Sequence, residues 1–393
     1  MLGAIYTGLS GMNAYSEGLM MISNDVANLN TAGYKGNYLS FDSLFEHGGA
    51  FLGSNNGGGG YGVSMGSSFI DFSQGTLQQT TNPLDLAIQG NGFLTVLKDG
   101  KTFYERTGNF FVDQDGFVSD AQGNHLAILN GDNLPQEFNI NAFKTSAPVA
   151  TTNILFDGNL AADTAANGTA TVAAMKVFDS RGTEHDWTVT ATMQDPATNT
   201  WTVSIADADG TVVGTGTVQF DSSGKVTGTS TITCTETPTN ADAMSVTLDF
   251  SGVSSNTAGG TSTIATSSVD GNAMGTLTGV GVTADGQMEL AYTNGKTQNE
   301  GFVALAKFQD PQLLQRLAGG LYTNPTNEQV SYRVSGGDGL GTVQSGQVEA
   351  SNVNLSNEFG ELILIERGFQ ACSQIVSISN EMIQTLFSMR GQG

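Results

Sequence analysis

VANLNTAGYKG, residues 26–36, closes the first helical pattern of the chain and sets up everything after it. Ahead of it, apolar residues recur at alternating spacings of three and four: Leu2, Ile5, Leu9, Met12, Leu19 and Val26, with Ser16 and Ser23 in the two gaps. That narrow stripe is the pattern of a helix that packs along another helix. Inside the phrase, Asn28, Asn30 and Gly33 leave the helical basin at little cost and can satisfy free carbonyls at a helix end. The pattern predicts one long helix that stops at a sharp elbow.

The other end of the chain repeats the design. Leu355, Leu362, Ile365, Phe369, Cys372, Val376, Ile383 and Leu386 form a second stripe, with Glu358, Arg367 and Asn380 expected outside it. A lone helix of this kind is marginal in water, because packing supplies most helical stability. Either the two helices pair within one copy, or they bury their stripes against neighbouring copies.

Between the helices the periodicity becomes that of strands. Residues 84–129 read as short apolar runs broken at Asp99-Gly100, Asp115-Gly116 and Gln122-Gly123, steps that supply the positive φ of tight hairpins. The same texture returns at 285–350, where Phe302 to Phe308 reads as a strand buried on both faces. Residues 146–284 differ: Thr, Ala, Gly and Ser dominate, and Trp187, Val189, Ala191 and Met193 alternate cleanly with polar residues. So do Trp201, Val203 and Ile205, then Val246, Leu248 and Phe250. Alternation means one wet face and one buried face, hence an antiparallel sandwich or barrel.

A nested layout follows. The chain is mainly β, with discontinuous sandwich- or barrel-like domains carried on a pair of terminal α-helices. Residues 1–40 form the N-terminal helix and elbow, and 41–70 a Gly-rich strap expected to be flexible. Residues 71–145 begin an inner β domain, 146–284 form an outer one, 285–354 complete the inner one, and 355–393 form the C-terminal helix.

Composition excludes several functions. The 393 residues carry a formal charge of −23 with only 14 Lys and Arg, which disfavours nucleic acid as a partner and weakens attraction to anionic lipid. No apolar run approaches a membrane span, and no Lys or Arg precedes Lys35 to make a signal-peptide n-region. Cys234 and Cys372 are too far apart to suggest a disulfide framework or a zinc site. The three histidines, His47, His125 and His185, sit in unrelated contexts. Glu184, His185 and Asp186 are adjacent, so on a strand they point to opposite faces. DQDG at 113–116 lacks the closing acid of a calcium loop, and GNG at 90–92 lacks the third glycine of a dinucleotide site. No catalytic, cofactor or metal constellation is expected, and the chain is read as a non-enzyme.

The phrase at the elbow resembles the N-terminal signature of the bacterial flagellar rod and hook protein family, with Asn24, Ala27, Asn28, Asn30, Thr31, Gly33, Tyr34 and Lys35 in register. Residues 72–96 resemble the core signature of that family through Gln74-Gly75, Asn82-Pro83-Leu84-Asp85 and Gly90-Asn91-Gly92-Phe93. Residues 348–374 resemble its C-terminal end through Glu349, Ser351-Asn352-Val353, Arg367 and Phe369-Gln370-Ala371, with Cys372 where the family usually has Asn. Residues 175–193 resemble the insert of hook-type members.

The resemblance implies a structural subunit of the flagellar hook, a homopolymeric curved tube that carries torque from rod to filament. It implies terminal-helix stripes that meet sister copies, and an extracellular place reached by flagellar export without a cleaved signal. Implied partners are the distal rod protein, the hook cap, the hook–filament junction proteins and the export apparatus. Two other readings stand beside it: a distal rod subunit with an inserted domain, and a secreted β-rich adhesin or hydrolase.

Overall fold

The computed structural model describes residues 2–38, 40–43, 63–66, 68–131, 134–326 and 329–390. The chain divides into two compact units. The first contains 1–141, 280–289 and 299–393; the second contains 142–279 and 290–298.

In the first unit, both ends of the chain are single helices, α1 (Leu2–Ala27) and α2 (Leu355–Arg390). Asn354 starts α2 as its N-cap, its Oδ1 accepting from Ser356 N at 3.0 Å. The helices pair antiparallel, since Gly8 meets Cys372 and Val376 while Tyr15 meets Gly368. Small residues set the separation. A Cβ on Gly11 would lie 2.5 Å from Cys372 Sγ, and one on Gly8 would lie 2.8 Å from Val376 Cγ2. Gly8, Gly11, Ala14, Gly18 and Ile22 are the buried face of α1. The face turned inward is therefore not the apolar stripe read from the sequence but the one beside it.

The β part of this unit is built on antiparallel pairing. His125–Leu129 pairs with Phe93–Lys98, which pairs with Lys101–Glu105, and that strand with Tyr322–Thr323. The first hairpin turns at Asp99 (φ 51°) and Gly100 (φ 71°), the left-handed pair that a two-residue turn requires. Leu305–Lys307 also joins Phe93–Lys98, and residues 303–306 are fully buried, as a strand covered on both faces should be. Phe93, Tyr104, Phe308 and Tyr322 form an aromatic core, with the rings of Tyr104 and Phe308 edge-to-face at 4.8 Å. A smaller sheet orders Thr342–Ser345, Asp85–Gln89 and Thr107–Asn109.

The ends of the expected strap are ordered ladders: Phe41–Ser43 pairs with Val63–Met65, and Asn37–Tyr38 with Phe69–Ile70. Residues 44–62 of the strap, which include His47, lie outside the described residues.

The second unit contains a sandwich. Thr169–Phe178, Glu184–Asp195, Thr200–Ala206 and Val212–Phe220 form an antiparallel meander completed by Val226–Thr227. The facing sheet orders Thr231–Glu236, Met244–Ser254, Asn153–Asn159 and Ala265–Val269. Trp187, Trp201, Val203, Ile205, Val246, Leu248 and Phe250 are fully buried between the sheets, and Phe156 stacks on Phe250 at 4.7 Å. Alternation thus located the core correctly. One pair departs from the antiparallel expectation: Asn153–Asn159 runs parallel to Met244–Ser254. The whole meander lies between them in sequence, supplying the long crossover a parallel pair needs.

Candidate functional site

The three sequence phrases that stood out converge on one place, the elbow where α1 gives way to the β part. The helix ends as Asn28 folds back: its N donates to Asn24 O at 3.1 Å and its Nδ2 to the same oxygen at 2.9 Å. Thr31 Oγ1 then donates to Asn28 Oδ1 at 3.1 Å, and Thr31 N to Asn28 O at 3.0 Å. Gly33 turns the chain at φ +69°, where a side chain would be strained and its Cβ would lie 2.8 Å from Thr107 Cγ2. Asn30 is exposed and Ala27 is exposed, so within the phrase the turning is done by Asn28, Thr31 and Gly33.

Beyond the turn lies a buried ionic cluster. Lys35 and Glu349 are fully buried and Arg106 is nearly so. Lys35 Nζ donates to Glu349 Oε1 at 2.6 Å and to Ser73 O at 2.7 Å, while Arg106 Nε reaches Glu349 Oε2 at 3.2 Å. Gly75 N donates to Glu349 Oε1 at 2.7 Å. The rest of the Arg106 guanidinium donates to the carbonyls of Gly92 (2.5 Å) and Gly90 (2.7 Å), so the loop glycines of the core signature carry its second charge-assisted contact. Burial lowers the Lys35 ammonium from the usual lysine range, and the Glu349 carboxylate opposes that shift.

A second carboxylate fixes the helix end. Asp25, also buried, accepts from Tyr34 OH at 2.7 Å, Asn37 N at 2.8 Å and Asn37 Nδ2 at 2.9 Å. Burial, aided by the bond to Asp25, pushes the Tyr34 phenol up to about 12. Arg316 lies over the Tyr34 ring at 4.6 Å and donates to Lys35 O. Asn24 Nδ2 donates to Tyr34 OH at 3.0 Å.

The stripes divide unequally. On α1, Ile5, Met12 and Val26 are half-buried while Leu9 and Leu19 are exposed; the side chain of Leu2 lies outside the described residues. On α2, Ile365 is buried and Leu362, Cys372, Val376 and Ile383 are half-buried on the α1 side, whereas Leu355, Phe369 and Leu386 are exposed. Glu358, expected outside the stripe, is half-buried near Asp25. Burial first, then the negative charges of Asp25 and Glu361, push its carboxyl up to about 7. An apolar groove of about 390 Å³ runs between the helices, lined by Tyr15, Leu19, Leu362, Ile365 and Phe369.

The sequence reading missed a further apolar face on α2. Ile363 (56% exposed), Leu364 (71%), Ile378 (54%), Met382 (56%) and Met389 (75%) stand in solvent on that side, and Phe387 (69%) stands in solvent on the side of the stripe already read. It also assigned no role to Asp25, Arg106 or Arg316; no spacing rule links residues so far apart, and only the buried charge of Lys35 could have demanded partners.

Elsewhere the polar motifs are turns and ties. Asp113 Oδ1 accepts from the backbone of Asp115 and Phe117, both at 2.9 Å. His185 lies between Asp179 (3.4 Å) and Glu236 (3.5 Å), whose other oxygen accepts from Trp187 Nε1 at 2.6 Å. Among the described residues no group of His, Cys, Asp and Glu has metal-site geometry, and no helix is long and apolar enough to cross a membrane.

Four family descriptions match successive parts of the chain. "Flagella basal body rod protein" matches residues 5–35, and "Flagellar hook protein FlgE/F/G D1 domain" matches 87–161. "Flagellar basal body protein FlaE D2 domain" matches 150–310, and "Flagellar basal body rod FlgEFG protein C-terminal" matches 344–389. Among curated proteins, the flagellar hook protein FlgE of Rhizobium meliloti is 29% identical, with 99% of each chain covered. Those of Treponema pallidum (26% identical) and Escherichia coli (27%) cover 99% and 98% of this chain and the whole of their own. A solved structure, that of the Helicobacter pylori flagellar hook protein FlgE2, is 13% identical over 70% of this chain and all of its own, at a TM-score of 0.47. Matched over 5–35, 87–310 and 344–389 by flagellar axial descriptions, and over 98–99% of its length by hook proteins that are themselves matched over 99% or more of theirs, this chain belongs to the flagellar hook protein family.

Proposed function

We propose that the chain is a non-enzymatic structural subunit of the flagellar hook, which polymerises through its terminal helix pair. The observation that carries this reading is the exposed apolar face of α2, standing on an elbow whose charged groups are buried and bonded. Solvent-facing apolar surface of this extent marks an interaction site. A contact that repeats without closing on itself builds a helical polymer, and a tube when it winds about an axis.

In this reading Leu362, Ile365, Cys372, Val376 and Ile383 hold the pair together from within. Leu2, Ile5, Leu9, Met12, Leu19 and Val26, together with Leu355, Phe369 and Leu386, meet sister copies. The Thr-rich second unit, acidic on its outside, slides against its counterparts as the hook bends. The chain works outside the cell after flagellar export, between a distal rod protein and the hook–filament junction proteins, and grows beneath a hook cap.

Electron microscopy of polymer formed from the purified full chain tests this. Curved tubes are expected. Straight tubes would instead make it a distal rod subunit, and a chain that stays monomeric at all concentrations would contradict the proposal.

A further inference from the structure

The two outer faces of the sandwich in the second unit differ in chemistry. On the meander, the cross-strand partners Thr169, Thr192, Thr202 and Thr217 form one outward row. Thr171, Thr190, Ser204 and Thr215 form the next. Of these eight hydroxyls only that of Thr202 has a hydrogen bond among the described residues, to Gln194 Oε1 at 2.9 Å. Neither row holds an ionisable side chain; charge begins beyond them, at Lys176 and Asp186 on one side and Asp195 on the other. The opposite sheet turns out Asp249 and, beside it across the strands, Leu155, 45% exposed, with exposed Asp157 two residues on.

We infer that second units stack front to back, the hydroxyl rows of one copy lying against the Asp249–Leu155–Asp157 face of the next. The inference rests on the hook reading, which supplies the neighbouring copies, and adds to it which faces meet. Electrostatics selects the front face. At a formal charge of −23, copies repel wherever acidic surfaces are brought together, and a face without ionised groups escapes that repulsion. Its seven unbonded hydroxyls are donors, and the opposing face offers carboxylate acceptors, the charge-assisted combination. Threonine methyls lie beside the hydroxyls and give Leu155 apolar surface to cover it.

The meander is not built to pair by its edges. Thr169–Phe178 is bulged at Ala174 (φ +53°) and carries Lys176, and the other edge, Val226–Thr227, has two residues. Front-to-back contact joins unlike faces, so it repeats without closing, as a polymer requires. Sliding follows from the repetition within the rows: a copy displaced by one strand spacing, about 4.8 Å, meets another hydroxyl in place of the last. Each such bond is modest, so the contact counts only where the terminal helices already hold copies at high local concentration.

The test uses polymer of the full chain. Thr190→Cys, Leu155→Cys and, for comparison, Ala208→Cys in the exposed turn 207–210 are labelled with a maleimide before and after assembly, and each position is read by peptide mass. Assembly should slow labelling at 190 and at 155 roughly 10-fold more than at 208. Thr190→Asp with Thr217→Asp should raise the polymerising concentration roughly fourfold at low salt, and Thr190→Lys with Thr217→Lys should lower it. Asp249→Asn should remove most of both shifts, as should salt at about 1 M. Fluorescence of Trp187 and Trp201, both in the sandwich core, checks that each variant is folded. Polymer in which 190 and 155 label no more slowly than 208 would overturn the stacking and leave the hook reading intact. So would Asp and Lys variants that shift alike, or shifts indifferent to Asp249→Asn. A parent chain that forms no polymer would overturn the hook reading, and the stacking with it.

Discussion

The second unit and the helix pair place similar side chains in opposite surroundings. In the sandwich, Trp187, Trp201, Leu248 and Phe250 are sealed from water. On α2, Leu364, Phe387 and Met389 are each more than two-thirds exposed. One region finds its stability within the chain, while the other has apolar surface that no described residue covers. An apolar residue in the sandwich is thus a matter of folding, and one on the outer face of α2 is a matter of association.

The sharpest way to break that contrast is to cut into the sandwich core. Trp187→Ala removes a fully buried ring and the donor to Glu236, and should destabilise the second unit by about 3–5 kcal/mol. Urea unfolding followed by Trp201 fluorescence measures this, and amide exchange in α1 and α2 should not change. A parallel loss in the helices would show that the two regions are not separate in stability.

The β part of the first unit offers a smaller effect, visible through pH. Glu105 is buried with its Oε1 unbonded, and burial, reinforced by Asp120, holds its carboxyl well above the usual range. The folded chain keeps that proton at pH values where the unfolded chain has lost it. Stability therefore falls as pH rises above about 4.3, by about 1.4 kcal/mol per pH unit, until the folded carboxyl itself ionises. Glu105→Gln should abolish this slope and be the more stable protein at neutral pH. The exchange of Thr95 N, which bonds Ala304 O at 3.0 Å, measures it. An unaltered slope would mean that other groups set it.

At the opposite extreme is Leu364→Ser. This side chain is 71% exposed, so the substitution should move the stability of the isolated chain by no more than about 0.5 kcal/mol. Sedimentation should nonetheless show polymer forming only at a higher concentration. Unchanged polymerisation would remove this face of α2 from the contact.

How much was legible in the sequence follows the same division. Period-two alternation located the sandwich core because each strand there has one buried face, as Trp201, Val203 and Ile205 show. The helices were legible as helices, but their orientation was not. The inward face of α1 carries Gly8, Gly11 and Gly18, which do not register when apolar residues are counted. Helix α2 is apolar on more than one side, so a single stripe understated it. At the elbow, the phrase announced a turn and Gly33 supplied it. The charges that secure it come from Arg106 and Glu349, and only the folded chain brings those together with Lys35.

The central claim is that the outer faces of the helix pair become buried against sister copies. Amide exchange along α1 and α2, measured in dilute monomer and again in assembled polymer, tests it most directly. The account predicts rapid exchange at Leu19, Met20 and Ile378 in the monomer, slowed about 100-fold or more in the polymer. Equal protection of these amides in both states would contradict it.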